Sequence, residues 1–474
     1  MLIPIAIGNV DFFRGSTLIN YAKISVICGK QRKSPADVAD WRRRDTIIRN
    51  FPIFVSLIFR QMSGNTGKKI LKLLTGLLII ILVTLSSSSA VKTRKPHKSY
   101  VVLVSFDAFR WDYDKLYNTP NLNKLASEGV KAGRLVSSFP TNTFPNHYSI
   151  ATGLYPDHHG IVNNTFFAPD LGLLYRIGDR AAVENPAFYR GEPLWVTAQK
   201  QGALAASFYW VGSEAPVAGM HPHYWKKYDE NVTYEARIDT VIKWLSYPEE
   251  KRPELITLYF DEPDATSHDY GPVSPETGEV VNLLDSLLGV LRDRLNALPH
   301  AKRINLIVLS DHGMAEVSSE RYINIRDVVP ARMIKNIYGG NPVLFIDPAE
   351  GKKDSVLLLI NHTRGVKAWA KENLPSRWHY GTNERISAIV AVADSSWYLA
   401  SRPLIGKFKG GAHGYDNRNP DMYGIFYASG PAFKKNYMVE ELNNVDIYNL
   451  VCRILNLKPA LNDGDISQTI KMLK

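Results

Sequence analysis

Three apolar runs that each end in acids or histidines constrain this chain more than any other feature. Residues 99–109 (SYVVLVSFDAF), 255–264 (LITLYFDEPD) and 303–313 (RINLIVLSDHG) are apolar at successive as well as alternate positions. Such runs predict strands buried on both faces. Helical stretches, including 119–129 and 279–296, lie between them. Strands alternating with helices fold as a mostly parallel sheet with helices on both faces. The predicted class is therefore α/β. Ligand sites of such sheets lie beyond the carboxyl ends of the strands, which is where the polar residues fall here.

The stretch 314–409 is less regular. It contains VLFI (343–346), SVLLLI (355–360) and ISAIVAVA (386–393), separated by Pro, Gly and charged residues. It reads as a smaller α+β insertion between a first core segment, 91–313, and a second, 410–474. No internal repeat and no low-complexity tract follows residue 90.

The first ninety residues are a different matter. Lys68, Lys69 and Lys72 precede the apolar stretch LLTGLLIIILVTL (73–85), and SSSSA (86–90) follows. A basic start, a short apolar core and small residues form a secretory signal. The apolar core is shorter than the ~20 residues of a spanning helix; a retained signal anchor on a membrane is the alternative. Met62 stands just upstream, so translation is expected to start there, with 62–90 as signal peptide and 1–61 as an overextended leader. A long genuine leader is the alternative. Cleavage near Ala90 would release the body to the periplasm or the medium.

Charge and cysteine content exclude other classes. The net charge is +11, but residues 1–90 hold 13 Lys/Arg against 4 Asp/Glu, and the rest holds 44 against 42. A nearly neutral body needs no stable nucleic-acid partner. Two cysteines, Cys28 and Cys452, build neither a disulfide framework nor a cysteine-rich zinc site.

Four clusters could hold metal: Ser105-Phe106-Asp107, Asp264 through His268, Ser310-Asp311-His312-Gly313, and Gly411-Ala412-His413-Gly414. Carboxylates and imidazoles suit zinc and similar divalent ions. Asp264 and His268 are four apart, so one helical turn or a compact loop could present both to one ion. Asp311 and His312 could serve one ion or two. Each cluster alone reads equally as a strand-end cap or a turn. A hydroxyl candidate lies between the first two clusters, where Pro140 and Pro145 bracket Thr141 and Thr143, and HYSIATG (147–153) reads as a helix start. Either threonine could meet an ion and a helix amino terminus together, or merely cap the helix. Asn164 could donate to a phosphoryl oxygen or hold a turn.

In order along the chain, VSFDAFR (104–110), FPTNTFPNHYSIATGLYPDHHGI (139–161), EPDATSHDYGP (262–272), LSDHGM (309–314) and GGAHGYDN (410–417) resemble a bacterial member of the nucleotide pyrophosphatase/phosphodiesterase family, within the alkaline phosphatase superfamily. The resemblance covers essentially all of 99–474. It implies an alkaline phosphatase-like catalytic core, 91–313 with 410–474, and a small capping insertion, 314–409. It implies two zinc ions (Zn2+), one held by Asp107, Asp311 and His312 beside the nucleophile Thr143, the other by Asp264, His268 and His413. Asn164 and the Thr143 amide would bind phosphoryl oxygens. Phe144, Tyr228 and Tyr259 would line the nucleobase pocket, the two tyrosines by similarity with aromatic positions of the family. The motif often reads Lys where this chain has Asn142, a departure that touches local electrostatics.

The implied reaction is hydrolysis of nucleotide phosphodiesters and pyrophosphates to nucleoside 5′-monophosphates through a threonine-linked intermediate. Small nucleotides are the expected partners and a monomer the expected state. The competing readings are a choline-phospholipid or lysophospholipid phosphodiesterase on the same core, a phosphomonoesterase, and a non-enzymatic metal-containing binding domain. A phosphomonoesterase would add cationic groups near the ions, and none is identifiable. A binding domain would not need six ligands and a hydroxyl. Asn163, Asn231 and Asn361 begin Asn-x-Ser/Thr triplets, which matter only in a glycosylating host.

Overall fold

The computed structural model describes residues 98–474; the expected leader, 1–61, and signal peptide, 62–90, lie outside them. The central sheet has eight strands: β1 (Tyr100–Phe106), β2 (Val130–Val136), β3 (Ala205–Phe208), β4 (Tyr224–Lys226), β5 (Leu255–Phe260), β6 (Ile304–Leu309), β7 (Phe426–Ser429) and β8 (Tyr437–Asn443). They run in the order β8-β2-β7-β6-β1-β5-β3-β4. Of these, only β7 is antiparallel to its neighbours; every other pairing is parallel. This is the mostly parallel α/β sheet expected from the three apolar runs.

Those runs became the three adjacent central strands because neither of their faces tolerates water. In β1, Val101 and Leu103 enter one core cluster, and Tyr100, Val102, Val104 and Phe106 enter the other. The period-2 alternation thus divides one strand between two cores. Helices cover both. Pro275–Asn296 begins at Ser274, whose side chain accepts from the Thr277 N–H, and has Pro in its first turn, where a missing N–H costs nothing. Val281, Leu284, Leu288, Leu291 and Leu295 form its buried stripe, at the spacing of a 3.6-residue repeat. Truncating one such leucine to alanine costs about 2–5 kcal/mol. On the opposite face lie Thr143–Thr152 and Asp446–Ile454, with Tyr148, Ile150, Ile447, Leu450 and Val451 buried.

Between β6 and β7 no strand joins the central sheet. A separate antiparallel sheet runs in the order Ile334–Gly340, Val343–Pro348, Ile389–Ala393, Val366–Ala370. SVLLLI falls in a helix, Lys353–Asn361. Buried Asp157, just after the helix that carries Thr143, accepts from the N–H groups of Gly381, Thr382 and Asn383. That carboxylate ties the loop at 381–383 to the main core.

Candidate metal centre

Strand register brings the first two acids together. Ser105 of β1 pairs with Leu309 of β6 on one side and with Tyr259 of β5 on the other. Asp107 and Asp311, each two residues on, therefore emerge side by side at the carboxyl edge. The Ala108 N–H donates to Asp311 Oδ1 at 3.2 Å. Asp264 opens the helix Asp264–Tyr270 that follows β5, which places His268 one turn further on. His268 Nε2 lies 3.5 Å from Asp264 Oδ1.

His413 arrives through a close backbone approach. The strand Lys409–Ala412 pairs with Ala315–Ser318 and lies directly on the Asp264–Tyr270 helix. A Cβ on Gly410 would stand 2.2 Å from the His268 carbonyl oxygen, and one on Gly411 2.3 Å from that of Ser267. Only glycine permits this contact. It carries His413 Nε2 to 3.5 Å from Asp264 Oδ1 and stacks the His413 ring on His312 at 3.8 Å.

Each of these imidazoles is oriented by the main chain. The Nδ1 of His268 meets the Gly411 carbonyl at 2.9 Å, that of His312 the Gly313 carbonyl at 2.9 Å, and that of His413 the Thr141 carbonyl at 3.0 Å. With Nδ1–H donating, the Nε2 lone pair of all three is turned to the carboxylates, as metal ligation needs. His312 Nε2 lies 3.0 Å from Asp311 Oδ2 and 3.5 Å from Asp107 Oδ1.

The carboxylates themselves suit a divalent cation. Asp107 Oδ1, Asp264 Oδ1 and Asp311 Oδ2 are buried with no hydrogen-bond partner. Burial, then the charges of Asp311 and Asp264, raise Asp107 well above the usual carboxylate range. Burial also raises Asp264. Burial would raise Asp311 too, but His312 and His147 outweigh it and hold that carboxyl well below the usual range. His413 is pushed well down by burial and by His312 and His268. Burial opposes protonation of His312, yet Asp311 wins and raises it. Orphaned, mutually repelling acids beside oriented imidazoles fit divalent metal. Asp264, His268 and His413 have ligand atoms within 4.8 Å of one another; so do Asp107, Asp264 and His312, and so do Asp107, His147 and Asp311.

Thr143 is the threonine that meets this centre, with Oγ1 3.2 Å from His312 Nε2. Thr141 instead donates its hydroxyl to the Tyr415 carbonyl and accepts from the Gly414 N–H. The helix begins at Thr143, four residues before the expected start. Pro145 is tolerated inside it because the first-turn N–H groups have no intrahelical acceptor. Asn164 Oδ1 accepts from the Phe144 N–H at 3.1 Å, which leaves its Nδ2 donors for a ligand beside Thr143.

The aromatic residues separate. Phe144 adjoins Thr143 and packs against Tyr175. Tyr228 is 37% exposed, its ring 5.1 Å from Tyr209. Burial and Asp261 push its hydroxyl up to about 12. Tyr259, expected at the nucleobase, has its hydroxyl committed to Asp107 Oδ2 at 2.5 Å.

His147 escaped the sequence reading. It is fully buried, its Nε2 meets Ser105 Oγ at 2.9 Å, and its Nδ1 lies 3.0 Å from the Thr143 carbonyl and 3.2 Å from Asp311 Oδ2. Its position four residues after Thr143 was the available signal.

Residues 101–416 match the family model described as type I phosphodiesterase / nucleotide pyrophosphatase. The venom phosphodiesterase CdcPDE of Crotalus durissus collilineatus is 39% identical over 389 residues, which are 80% of this chain and 47% of that protein. Human ectonucleotide pyrophosphatase/phosphodiesterase family member 5 is 35% identical over 390 residues, 82% of this chain and 81% of its own length. The solved murine ectonucleotide pyrophosphatase/phosphodiesterase 5, an inactive variant in complex with AMP, superposes with a TM-score of 0.76 at 35% identity, covering 80% of this chain and 100% of that one. The chain spans about half the length of the venom relatives it matches. These relatives are animal proteins, whereas the sequence is read above as a bacterial member.

Proposed function

The chain belongs to the type I phosphodiesterase / nucleotide pyrophosphatase family, and from that premise we propose that it hydrolyses nucleotide phosphodiester and pyrophosphate bonds to release nucleoside 5′-monophosphates. The observation that carries this reading is the convergence of Asp107, Asp264, Asp311, His268, His312 and His413 beside Thr143 Oγ1. In this reading Asp107, Asp311 and His312 would hold one zinc ion, and Asp264, His268 and His413 would hold the other. When bound, they supply Lewis-acid stabilisation of charge on the attacking and departing oxygens.

The chain's own residues do the rest. Thr143 gives up its hydroxyl proton to water and its Oγ1 attacks phosphorus as the bond to the departing oxygen breaks; that oxygen leaves with the electron pair and takes a proton from water. The product is a threonine-linked nucleotidyl ester. Water then attacks phosphorus, and Thr143 leaves and recovers its proton. Asn164 Nδ2 and the Thr143 N–H donate to the non-bridging oxygens, where negative charge grows. The Phe144 N–H keeps Asn164 in this orientation. Phe144 and Tyr228, with the Tyr259 ring, offer faces on which a base can stack, worth ~1–3 kcal/mol per base.

Small nucleotides outside the cytoplasm are the proposed substrates, with no stable nucleic-acid partner; in a bacterial cell this means the periplasm or the medium. Among the described residues no helix is long and apolar enough to cross a membrane. The test is turnover of a nucleotide 5′-ester by metal-loaded protein and by Thr143→Ala. The variant should lose at least a thousandfold in kcat and the trapped nucleotidyl-enzyme, while retaining bound zinc. Near-normal turnover by Thr143→Ala would overturn the assignment.

A further inference from the structure

Between the strands Tyr398–Ala400 and Lys409–Ala412 a loop stands clear of the fold. Residues 402–407 (RPLIGK) are all exposed. At the tip, Ile405 is 90% exposed and Leu404 40%. Gly406 turns the chain back with a φ of +72°, a left-handed conformation that favours glycine. Two adjacent apolar side chains held in water gain free energy when something covers them.

The base of the loop is fixed on both sides. The Tyr322 hydroxyl donates to the Arg402 carbonyl at 2.7 Å, Arg326 Nε to the Ser401 carbonyl at 2.9 Å, and the Ser319 N–H to the Phe408 carbonyl at 3.0 Å. Tyr322 and Tyr398 stack at 5.4 Å, and the Phe408 ring lies edge-on to both. These three rings share a cavity of about 260 Å³ with Leu404 and Ile405. A loop anchored this way presents its apolar tip with little further chain entropy to lose.

Charge selects the partner. From Ser395 to Tyr415 the chain carries no acidic residue. Lys409 pairs with Glu316 at 3.2 Å, whereas among the described residues neither Arg402 nor Lys407 has an acidic partner. Cations flanking an apolar tip, with tyrosines at the level below, make up a segment suited to the boundary of an anionic bilayer. A protein partner fits less well. Two side chains cover far less than the ~800 Å² per partner of a stable interface, and lysine is depleted at such interfaces.

We propose that the loop at 402–407 docks the protein on a surface of anionic phospholipid, with Leu404 and Ile405 entering below the headgroups and Arg402 and Lys407 meeting lipid phosphates. Tyr398 lines this cavity and also the one that His268 and His413 help to wall. The docked loop therefore sets the mouth of the metal centre beside the bilayer, whatever bond is cut there.

The tip can be altered without disturbing the core. In the full chain carrying Cys28→Ser, Ile405→Cys is labelled with an environment-sensitive fluorophore; Cys452 is buried. Vesicles of phosphatidylcholine mixed with phosphatidylglycerol should shift its emission to shorter wavelength and shield it from an aqueous quencher. Pure phosphatidylcholine should do neither. Arg402→Glu combined with Lys407→Glu should raise the lipid concentration needed for the shift by about tenfold or more. Turnover of a soluble nucleotide ester should stay within about twofold throughout, as for other exposed substitutions. A label that remains in water on vesicle-bound protein would overturn the proposal, as would no shift at all or a lipid dependence unmoved by the two charge reversals. An equal shift on pure phosphatidylcholine would overturn the choice of anionic lipid. A shift that grows with protein concentration without lipid would overturn it in favour of a second copy of the chain.

Discussion

Replacing Tyr259 by phenylalanine deletes one hydroxyl and keeps the ring. That hydroxyl donates to Asp107 Oδ2 at 2.5 Å, and Asp107 Oδ1 has no partner. Burial and the neighbouring Asp311 and Asp264 raise the proton affinity of Asp107, and the Tyr259 donor works against them. A metal ligand must be deprotonated, so Tyr259 favours the binding form and also fixes the plane of the carboxylate. A hydrogen bond to a charged group contributes about 1.5–3 kcal/mol, and about 1.4 kcal/mol is a factor of ten. Metal affinity in Tyr259→Phe should fall about 10–100-fold, as when other hydrogen-bond partners of metal ligands are removed. The acid limb of the activity profile should move to higher pH, because Asp107 then holds its proton further up the scale. Dialysis against graded chelator, followed by elemental analysis, measures the affinity. KM for a nucleotide ester should stay within twofold, since the ring remains for stacking. Wild-type metal retention in the variant would refute the argument, and a raised KM alongside it would transfer the hydroxyl to the substrate.

Stripping the metal should lower the thermal midpoint in calorimetry, since free metal at a thousand times its Kd adds about 4 kcal/mol to stability; an unchanged midpoint would speak against a built site. Asn164→Asp should keep the bond accepted from the Phe144 N–H and replace the phosphoryl-facing donor with a negative oxygen. We expect a loss of about 100-fold or more in kcat/KM, with metal content unchanged, and wild-type kinetics would remove Asn164 from the oxygen-binding role. Asp157→Ala leaves the N–H groups of Gly381, Thr382 and Asn383 without their acceptor. Its unfolding free energy in urea should drop by about 3 kcal/mol, on the scale of hydrogen bonds to a buried charged group.

What the sequence made legible follows from range. The strands β1, β5 and β6 announce themselves because continuous apolar character is a local pattern. Asp264 and His268 are readable as a pair for the same reason, four residues apart on one helix. His147 was equally local and was still missed, because placing the helix start at 147 hid its i, i+4 relation to Thr143. The Tyr259 hydroxyl is another kind of case. Whether a strand residue faces a particular acid depends on the register between β1 and β5, and no pattern within either strand states it.

The ligand set also explains why the site departs from ordinary folding preferences. Burial raises Asp107 and Asp264 and costs the fold stability, and among the described residues no lysine or arginine pairs with either of their orphaned oxygens. The chain holds the arrangement through contacts that do not depend on the ligands attracting one another. Main-chain carbonyls orient the three imidazoles, the register of parallel strands sets Asp107 beside Asp311, and bare glycine backbone lets His413 approach His268. Local rules broken at a functional site and compensated elsewhere are the expected signature of function. Here the compensation lies in backbone geometry, which side-chain chemistry at the centre leaves undisturbed. A centre built this way is preorganised: the backbone already holds its carboxylates and imidazoles together, so an arriving ion has little to rearrange.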